Sequence, residues 1–350
     1  MMEILTSAID FLRGVIDSSR HPFIILGMAA TLDYLIGDPW GWPHPVQWMG
    51  WMIDQFRQKV WQGVQLQSWQ PATQQGVLRG AGIVLGVGLI AGSAIISGGL
   101  ISFWKRQPAP IAILGSIIEI ILLASCFAGH SLRKAAEEVL ESLADGDLVT
   151  ARCRLSLYVG RDTENLSEAE ILRAVLETVT ENATDGVMAP LFYAILGAAI
   201  PGVGSVPLAL AYKAASTLDS MIGYRHPPYA ELGWFSAQLE DRLTWLPCRL
   251  LVITIALLSG KPCEVIKICQ RDAWQDPSPN SGWSECAYAA ALNVQMGGMN
   301  YYQGKVKQKP LLGNNIESIT PRKICQALCL TRFSFLIWLG CFLILRCRNF

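Results

Sequence analysis

The sequence predicts an all-α, polytopic integral membrane protein. About four to six transmembrane or re-entrant helices should form one membrane-embedded domain over 1–350, with a helical polar insert at 130–186. Three observations predict this. Hydrophobic residues make up 51% of the chain and charged residues only 16%, against a usual quarter, and the mean hydropathy is positive. Residues 81–100, AGIVLGVGLIAGSAIISGGL, and 111–129 are apolar runs of the length a bilayer requires, about 20 residues. Polar residues gather instead in 158–186, YVGRDTENLSEAEILRAVLETVTENATDG. The 28 basic and 28 acidic side chains balance, so nothing points to nucleic acid or a polyanionic surface as a partner. The ten cysteines include no C-x-x-C pair, and neither a disulfide framework nor a zinc site is indicated.

Residues 1–20 read as an amphipathic segment suited to a membrane surface, and their acidic Glu3 and Asp10 argue against a cleaved signal peptide. Residues 23–37 are apolar but short for a span, and Asp33 within them must face protein or a water-filled cavity. The stretch 37–50, GDPWGWPHPVQWMG, holds three prolines and three glycines and is predicted to be a rigid loop. Its tryptophans fit an interfacial belt, which leaves Asp38, His44 and Gln47 unexplained. Residues 61–75 are glutamine-rich and expected as a loop. The small residues of 81–100 favour close helix packing, and 111–129 carries an unexplained carboxylate, Glu119. Together these two spans form a hairpin that brings 38–75 and the chain from 130 onward to one side.

Residues 130–144 are amphipathic, Asp145-Gly146 is a turn, and 147–158 form another helix. Ser167 followed by Glu170 is a capping box that starts a helix at about Glu168. On it Glu177 and Glu181 share a face, with Thr178 and Asn182 beside them. Like charges at this spacing cost a few tenths of a kcal/mol unless a cation lies between them, and neither has a lysine or arginine at i+4. A solvated helix face is the plain alternative. An acidic helix that ends at Asp185-Gly186, directly before an apolar run, is the sharper one. Residues 187–211 are interrupted at Pro190, Pro201, Gly202, Gly204 and Pro207, a broken helix of the kind tolerated only inside protein or along a cavity. Lys213, Asp219 and Ser220 follow. Residues 243–259 contain Pro247 and Arg249 and suit either a tilted span or a re-entrant segment. Residues 276–280 form a turn, in which Asn280 or Ser281 suits a plain helix N-cap, followed by a small-residue helix and Gly297-Gly298. A last helix covers about 324–345.

No phosphate-binding G-x-x-x-x-G-K-[ST] loop, dinucleotide fingerprint, HExxH or GxSxG is present. What remains is rich in carboxylates and amides, hard oxygen ligands suited to Mg²⁺, with Arg161 and Lys213 able to neutralise phosphate or carboxylate oxygens.

The motifs LDYLIGDPWGWPHPVQWMG, YVGRDTENLSEAEI, ETVTENATDGVMAPLFY, YKAASTLDSMIGY and SPNSG…MGGMNYYQG occur in that order across roughly 25–315. In them the chain resembles the cobalamin-biosynthesis membrane family that makes adenosylcobinamide or its phosphate. The resemblance implies an amide-forming ligase. Its substrates would be adenosylcobyric acid, through the free propionate of the corrin ring, and (R)-1-amino-2-propanol or its O-phosphate, with Mg²⁺ and ATP as cofactors. It implies a metal set of Glu177, Glu181 and Asp185, and catalytic roles for Asp38, His44, Arg161, Asp162 and Glu181. Substrate contacts are implied for Thr163, Asn182, Lys213, Asp219, Ser220, Ser278 and Asn280. The partners implied are the corrinoid, the amine and the lipid bilayer, with a homo-oligomer or association with other enzymes of the pathway left open. The location implied is the cell (inner) membrane, with the motif face cytoplasmic where ATP is found. That face carries Arg57, Lys59, Arg79, Arg133, Lys134, Arg152 and Arg154, whereas Lys105 and Arg106 lie on the opposite turn. Two departures stand out. Ser216 replaces a usual asparagine, and AQLEDR at 237–242 puts Gln238 where the family carries an arginine. The rival is a non-catalytic carrier or sensor, but a carrier would show broken helices in both halves and only one stands out here.

Overall fold

The computed structural model describes residues 22–37, 44–66, 70–224 and 226–347. The amphipathic segment expected at 1–20 and the site residue Asp38 lie outside the described residues. The chain divides into two compact units. The first takes Met1–Phe127, Pro190–Arg242 and Leu339–Phe350, and the second Ala128–Ala189 and Leu243–Trp338. The polar segment 130–186 is therefore one part of a unit that the C-terminal third of the chain completes.

In the first unit, α1 (Pro22–Leu35) packs on α4 (Ala109–Ala124), and α3 (Pro71–Lys105) packs on α4 and on α9 (Ser205–Ile222). The small residues of α3 do what a close helix contact needs. A Cβ at Gly82 would stand 2.0 Å from the Leu232 carbonyl oxygen, so only glycine fits there. Glu119 is explained by Lys105, whose Nζ lies 2.7 Å from Oε2 across the tight α3–α4 turn. The loop expected at 37–50 is corrected in part. Helix α2 (Pro45–Gln65) begins within it, because proline at the first helical position costs no hydrogen bond. The loop expected at 61–75 is likewise helical up to Gln65 and again from Pro71, since glutamine is a good helix former whatever its polarity. The broken helix is present as α8 (Ala189–Ala199) and α9, separated around Pro201.

Among the described residues two helices, Pro71–Lys105 and Pro321–Leu345, are long and apolar enough to cross a membrane. Ile111–Ala124 and Gly129–Ala144, bent by 43°, make a third if they form one span. With the shorter apolar helices, this is a helical polytopic membrane protein. The stretch 243–259 belongs to one longer helix, α10 (Trp234–Leu258), with Pro247 inside it.

In the second unit, α5 (Gly129–Ala144), α6 (Leu148–Ser156) and α7 (Glu168–Asn182) pack together, with Leu132, Leu155, Ile171 and Val175 buried between them. The central element is α12 (Ser281–Leu292). Its small side chains let α7, α11 (Pro262–Asp272) and the hairpin that follows close on it from several sides, and Ser284 to Ala290 are all buried. That hairpin departs from the all-helical expectation. Strands β1 (Gln295–Tyr302) and β2 (Lys305–Gly313) pair antiparallel, from Gln295↔Gly313 to Tyr302↔Lys305. The connection is the two-residue turn Gln303-Gly304, with φ of 51° and 73°, the mirror-image turn that matches strand twist. A register shift lies between Met296 and Gly298. There Gly297 has φ 91°, and a Cβ on it would meet the Pro310 carbonyl oxygen at 1.9 Å. The final helix is α13 (Pro321–Cys347).

Candidate functional site

The site is built on α7. Its capping box forms as the sequence predicts. Glu170 N donates to Ser167 Oγ at 3.4 Å, and Ser167 N donates to Glu170 Oε2 at 2.8 Å. The helix does not stop at Asp185-Gly186, which corrects the expected end. It widens into a π-helical turn, Ala183–Met188, and continues as α8. The Gly186 carbonyl in that turn accepts Ala128 N at 2.9 Å, which ties it to the start of α5. Thr184 Oγ1 donates to Ser284 Oγ at 2.8 Å, and Ser284 Oγ donates to the Thr180 carbonyl at 2.6 Å, which fixes α7 against α12.

Glu177 and Glu181, one turn apart on α7, have different surroundings. Glu177 is buried and pairs with Arg161, while its Oε1 accepts Gly297 N at 3.0 Å and lies 3.6 Å from Arg173. No lysine or arginine stands at i+4 of either carboxylate, yet Glu177 finds two cations elsewhere. Arg173 stands four residues before it, on the side the i+4 search does not cover, and Arg161 arrives from the preceding turn. The Glu181 side chain makes no hydrogen bond or ion pair among the described residues.

The RDT turn and α7 together clamp the hairpin along its length. At its base Arg173 donates to the Gly297 carbonyl and, at 2.9 Å, to the Met299 carbonyl. In the middle Arg161 donates to Asn300 Oδ1 at 2.8 Å. At the tip both Asp162 oxygens accept turn amides, Gln303 N at 2.9 Å and Gly304 N at 2.7 Å, and Asp162 N donates to the Tyr301 carbonyl. Arg161, Asp162 and Glu177, expected for catalysis and metal binding, are therefore engaged in holding β1 and its turn.

The clamp brings Lys309 of β2 to the carboxylates. Its Nζ lies 3.3 Å from Oε1 of Glu285, which is fully buried on α12. Among the described residues Glu285 Oε2 has no hydrogen-bond partner. Burial pushes the Glu285 carboxyl well above its ordinary range, Lys309 opposes this, and Glu181, Glu177 and Asp276 reinforce it. Burial also raises Glu181, against the pull of Lys309 and with the push of Asp276 and Glu177. Burial alone would lower Lys309, but the surrounding carboxylates, Glu285 first, hold it above its ordinary value.

The loop before α12 completes this face. Asp276 Oδ1 accepts Ser278 N at 2.8 Å and Ser281 Oγ at 3.3 Å. Ser278 Oγ accepts the amides of Asn280 and Ser281, so Ser278 does the capping that Asn280 or Ser281 was expected to do. Asn280 occupies the N-cap position, yet its Oδ1 accepts from Arg249, whose guanidinium lies 4.5 Å above the Trp283 ring.

The remaining expected residues fall as follows. Thr163 is buried in the RDT turn, where its carbonyl accepts Leu166 N, and Asn182 is exposed and donates to the Thr178 carbonyl of its own helix. Asp185 is half-buried in the π-helical turn. His44, Lys213, Asp219 and Ser220 belong to the first unit. His44 is the N-cap of α2, its Nδ1 accepting Val46 N at 3.2 Å, and the other three lie on α9. The sequence reading missed Arg173, Glu285, Asn300 and Lys309. Glu285 alone left a signal, as a carboxylate inside the small apolar helix SGWSECAYAAAL.

The expected metal set is tested by these contacts. Glu177 is spent on Arg161 and Gly297, and among the described residues no three His, Cys, Asp or Glu side chains are placed to hold a metal by themselves. Of that set Glu181 lies one turn beyond Glu177 on α7, and Asp185 stands in the π-helical turn that follows. Two carboxylates match what Mg²⁺ takes when substrate phosphates complete its shell.

The chain matches the family described as CobD/Cbib protein over residues 26–331. It belongs to the CobD/CbiB family. It is 53% identical over 324 residues to cobalamin biosynthesis protein CobD of Synechocystis sp., covering 92% of each chain. It is 39% identical to CobD of Halalkalibacterium halodurans over 90% of this chain and 95% of that one. To cobalamin biosynthesis protein CbiB of Salmonella typhi it is 37% identical, over 91% of this chain and 96% of that one. Those relatives are named for cobalamin biosynthesis, and membership of the CobD/CbiB family gives this chain a role in it. No solved structure matches the chain.

Proposed function

We propose that this CobD/CbiB protein is an amide-forming ligase. It joins (R)-1-amino-2-propanol or its O-phosphate to the free propionate of adenosylcobyric acid and yields adenosylcobinamide or its phosphate. The observation that carries the reading is the cluster of Glu181, Asp276, Glu285 and Lys309, which the clamped hairpin and the family's own motifs assemble in one unit.

A carboxylate and an amine do not condense in water without activation. ATP would supply it as an acyl phosphate of the propionate, with Mg²⁺ neutralising the phosphate oxygens during transfer. Glu181 and Asp185 are the carboxylates that would hold the ion. Lys309, kept charged by its neighbours, is placed to attract the corrin propionate or the transferred phosphoryl oxygens. Arg161, Arg173 and Asp162 act through the hairpin, which they keep rigid so that Lys309 stays in register with Glu285. In this reading the charge handling belongs to the second unit, and His44 caps a helix. The active face is cytoplasmic, in the cell membrane, where ATP is available.

The test is reconstitution. Purified chain in lipid vesicles, given adenosylcobyric acid, the amine or its O-phosphate, and Mg-ATP, should release the amide with one ADP and one phosphate per bond formed. Folded protein that yields no amide from either amine, with all reactants present, contradicts the assignment.

A further inference from the structure

Four carboxylates of the second unit, Glu177, Glu181, Asp276 and Glu285, interact with a single lysine, Lys309, and Glu177 is already paired with Arg161. Two of them have oxygens left over. The Glu181 side chain makes no hydrogen bond or ion pair among the described residues. Glu285 is 0% exposed, gives Oε1 to Lys309 at 3.3 Å, and leaves Oε2 without a partner among the described residues. A buried carboxylate oxygen left unmade is costly, and folded proteins seldom keep one without a use for it. The missing partner is a hydrogen-bond donor, and the excess of carboxylates over lysines asks for a positive one.

We propose that Glu285 forms the seat for a primary ammonium group, that of the amine reactant, with Lys309 fixing Glu285 in position and Asp276 adding negative charge nearby. The chemistry of the seat separates an ammonium from a metal ion. A divalent ion beside Glu285 would set two positive charges against the Lys309 ammonium, where a primary ammonium sets one. An ammonium is compact, carries three donors and a single charge, and is the group that already occupies Oε1 in the form of Lys309. The identity of the amine rests on the reading above; the site itself rests on the orphaned oxygen. Glu181, electrostatically linked to Glu285, then lies beside both the amine and the activated acid.

The test is equilibrium dialysis of the full-length purified protein with labelled 1-amino-2-propanol, without ATP or corrinoid. The control ligand is 1,2-propanediol, which replaces the ammonium by a neutral hydroxyl. The wild-type protein should bind the amine and bind the diol about tenfold more weakly or worse, since a charge-assisted hydrogen bond is lost. Glu285→Gln should weaken amine binding about 10- to 100-fold. If that variant does not fold, Asp276→Asn on the outer loop should still weaken the amine about tenfold. Equal binding of amine and diol overturns the site, as does unchanged amine binding by folded Glu285→Gln, or displacement of the amine by Mg²⁺ alone. Amine binding that depends on Glu285, in a protein that forms no amide, would keep this site and overturn the ligase reading. Amide formation whose amine KM ignores Glu285→Gln would do the reverse.

Discussion

Glu177 and Glu181 occupy neighbouring turns of one helix face, and their partners give them opposite consequences. Glu177 neutralises a buried arginine, Arg161, and removing one member of such a pair leaves the other uncompensated. Glu177→Gln should therefore lower stability by about 3–5 kcal/mol, seen as a fall in melting temperature and in the yield of folded protein. A variant as stable as the parent would show that the pair is not structural. Glu285 carries a pH signature. Burial raises its carboxyl in the folded state, so the folded protein holds this proton more tightly than the unfolded chain does. The corresponding stability is complete below about pH 4.3, the ordinary glutamate range, and is lost as pH rises through the raised value. Melting temperature should fall across that interval, and Glu285→Gln should flatten the slope. An identical slope in parent and variant contradicts the shift.

At the scale of elements, the hairpin is the device that turns separate motifs into one site. Its base needs Gly297, where a side chain would strike the Pro310 carbonyl and force a left-handed backbone on an ordinary residue. Gly297→Ala should destabilise the second unit by about 1–2 kcal/mol for the backbone alone, with more for the clash. Amide hydrogen exchange in 295–313 should speed up, and unchanged protection would contradict the clamp. In the first unit Gly82 lets α3 approach the Leu232 carbonyl, so Gly82→Leu should prevent that contact and lower the amount of folded protein in membranes. Normal yield of that variant would mean α3 packs elsewhere.

What was legible follows from where each signal lives. The capping box at Ser167, the long apolar α3 and the break at Pro201 are local patterns, and each appears where the sequence puts it. The helical start at Pro45 was hidden because proline reads as a breaker although it suits a first turn. The hairpin was hidden because Gly297-Gly298 reads as a stop, while its strands are held by partners more than a hundred residues away, Asp162 and Arg173. Asp162 and Arg161 stood out correctly as important. Their contacts are long-range, however, and no spacing rule distinguishes a clamp from a ligand.

At the scale of the whole molecule, an apolar helical chain of the CobD/CbiB family gathers Glu181, Asp276, Glu285 and Lys309 in the second unit. The central claim is that the Glu181 cluster is where the amide is made. The most direct measurement is the amide yield of Glu181→Gln in lipid vesicles, with adenosylcobyric acid, amine and Mg-ATP saturating and its melting temperature matched to the parent. Because the Glu181 side chain makes no hydrogen bond or ion pair among the described residues, the fold should survive. The yield should drop about 100-fold, the scale on which a single preorganised charge-handling group acts. Parental yield from the stable variant would contradict the account.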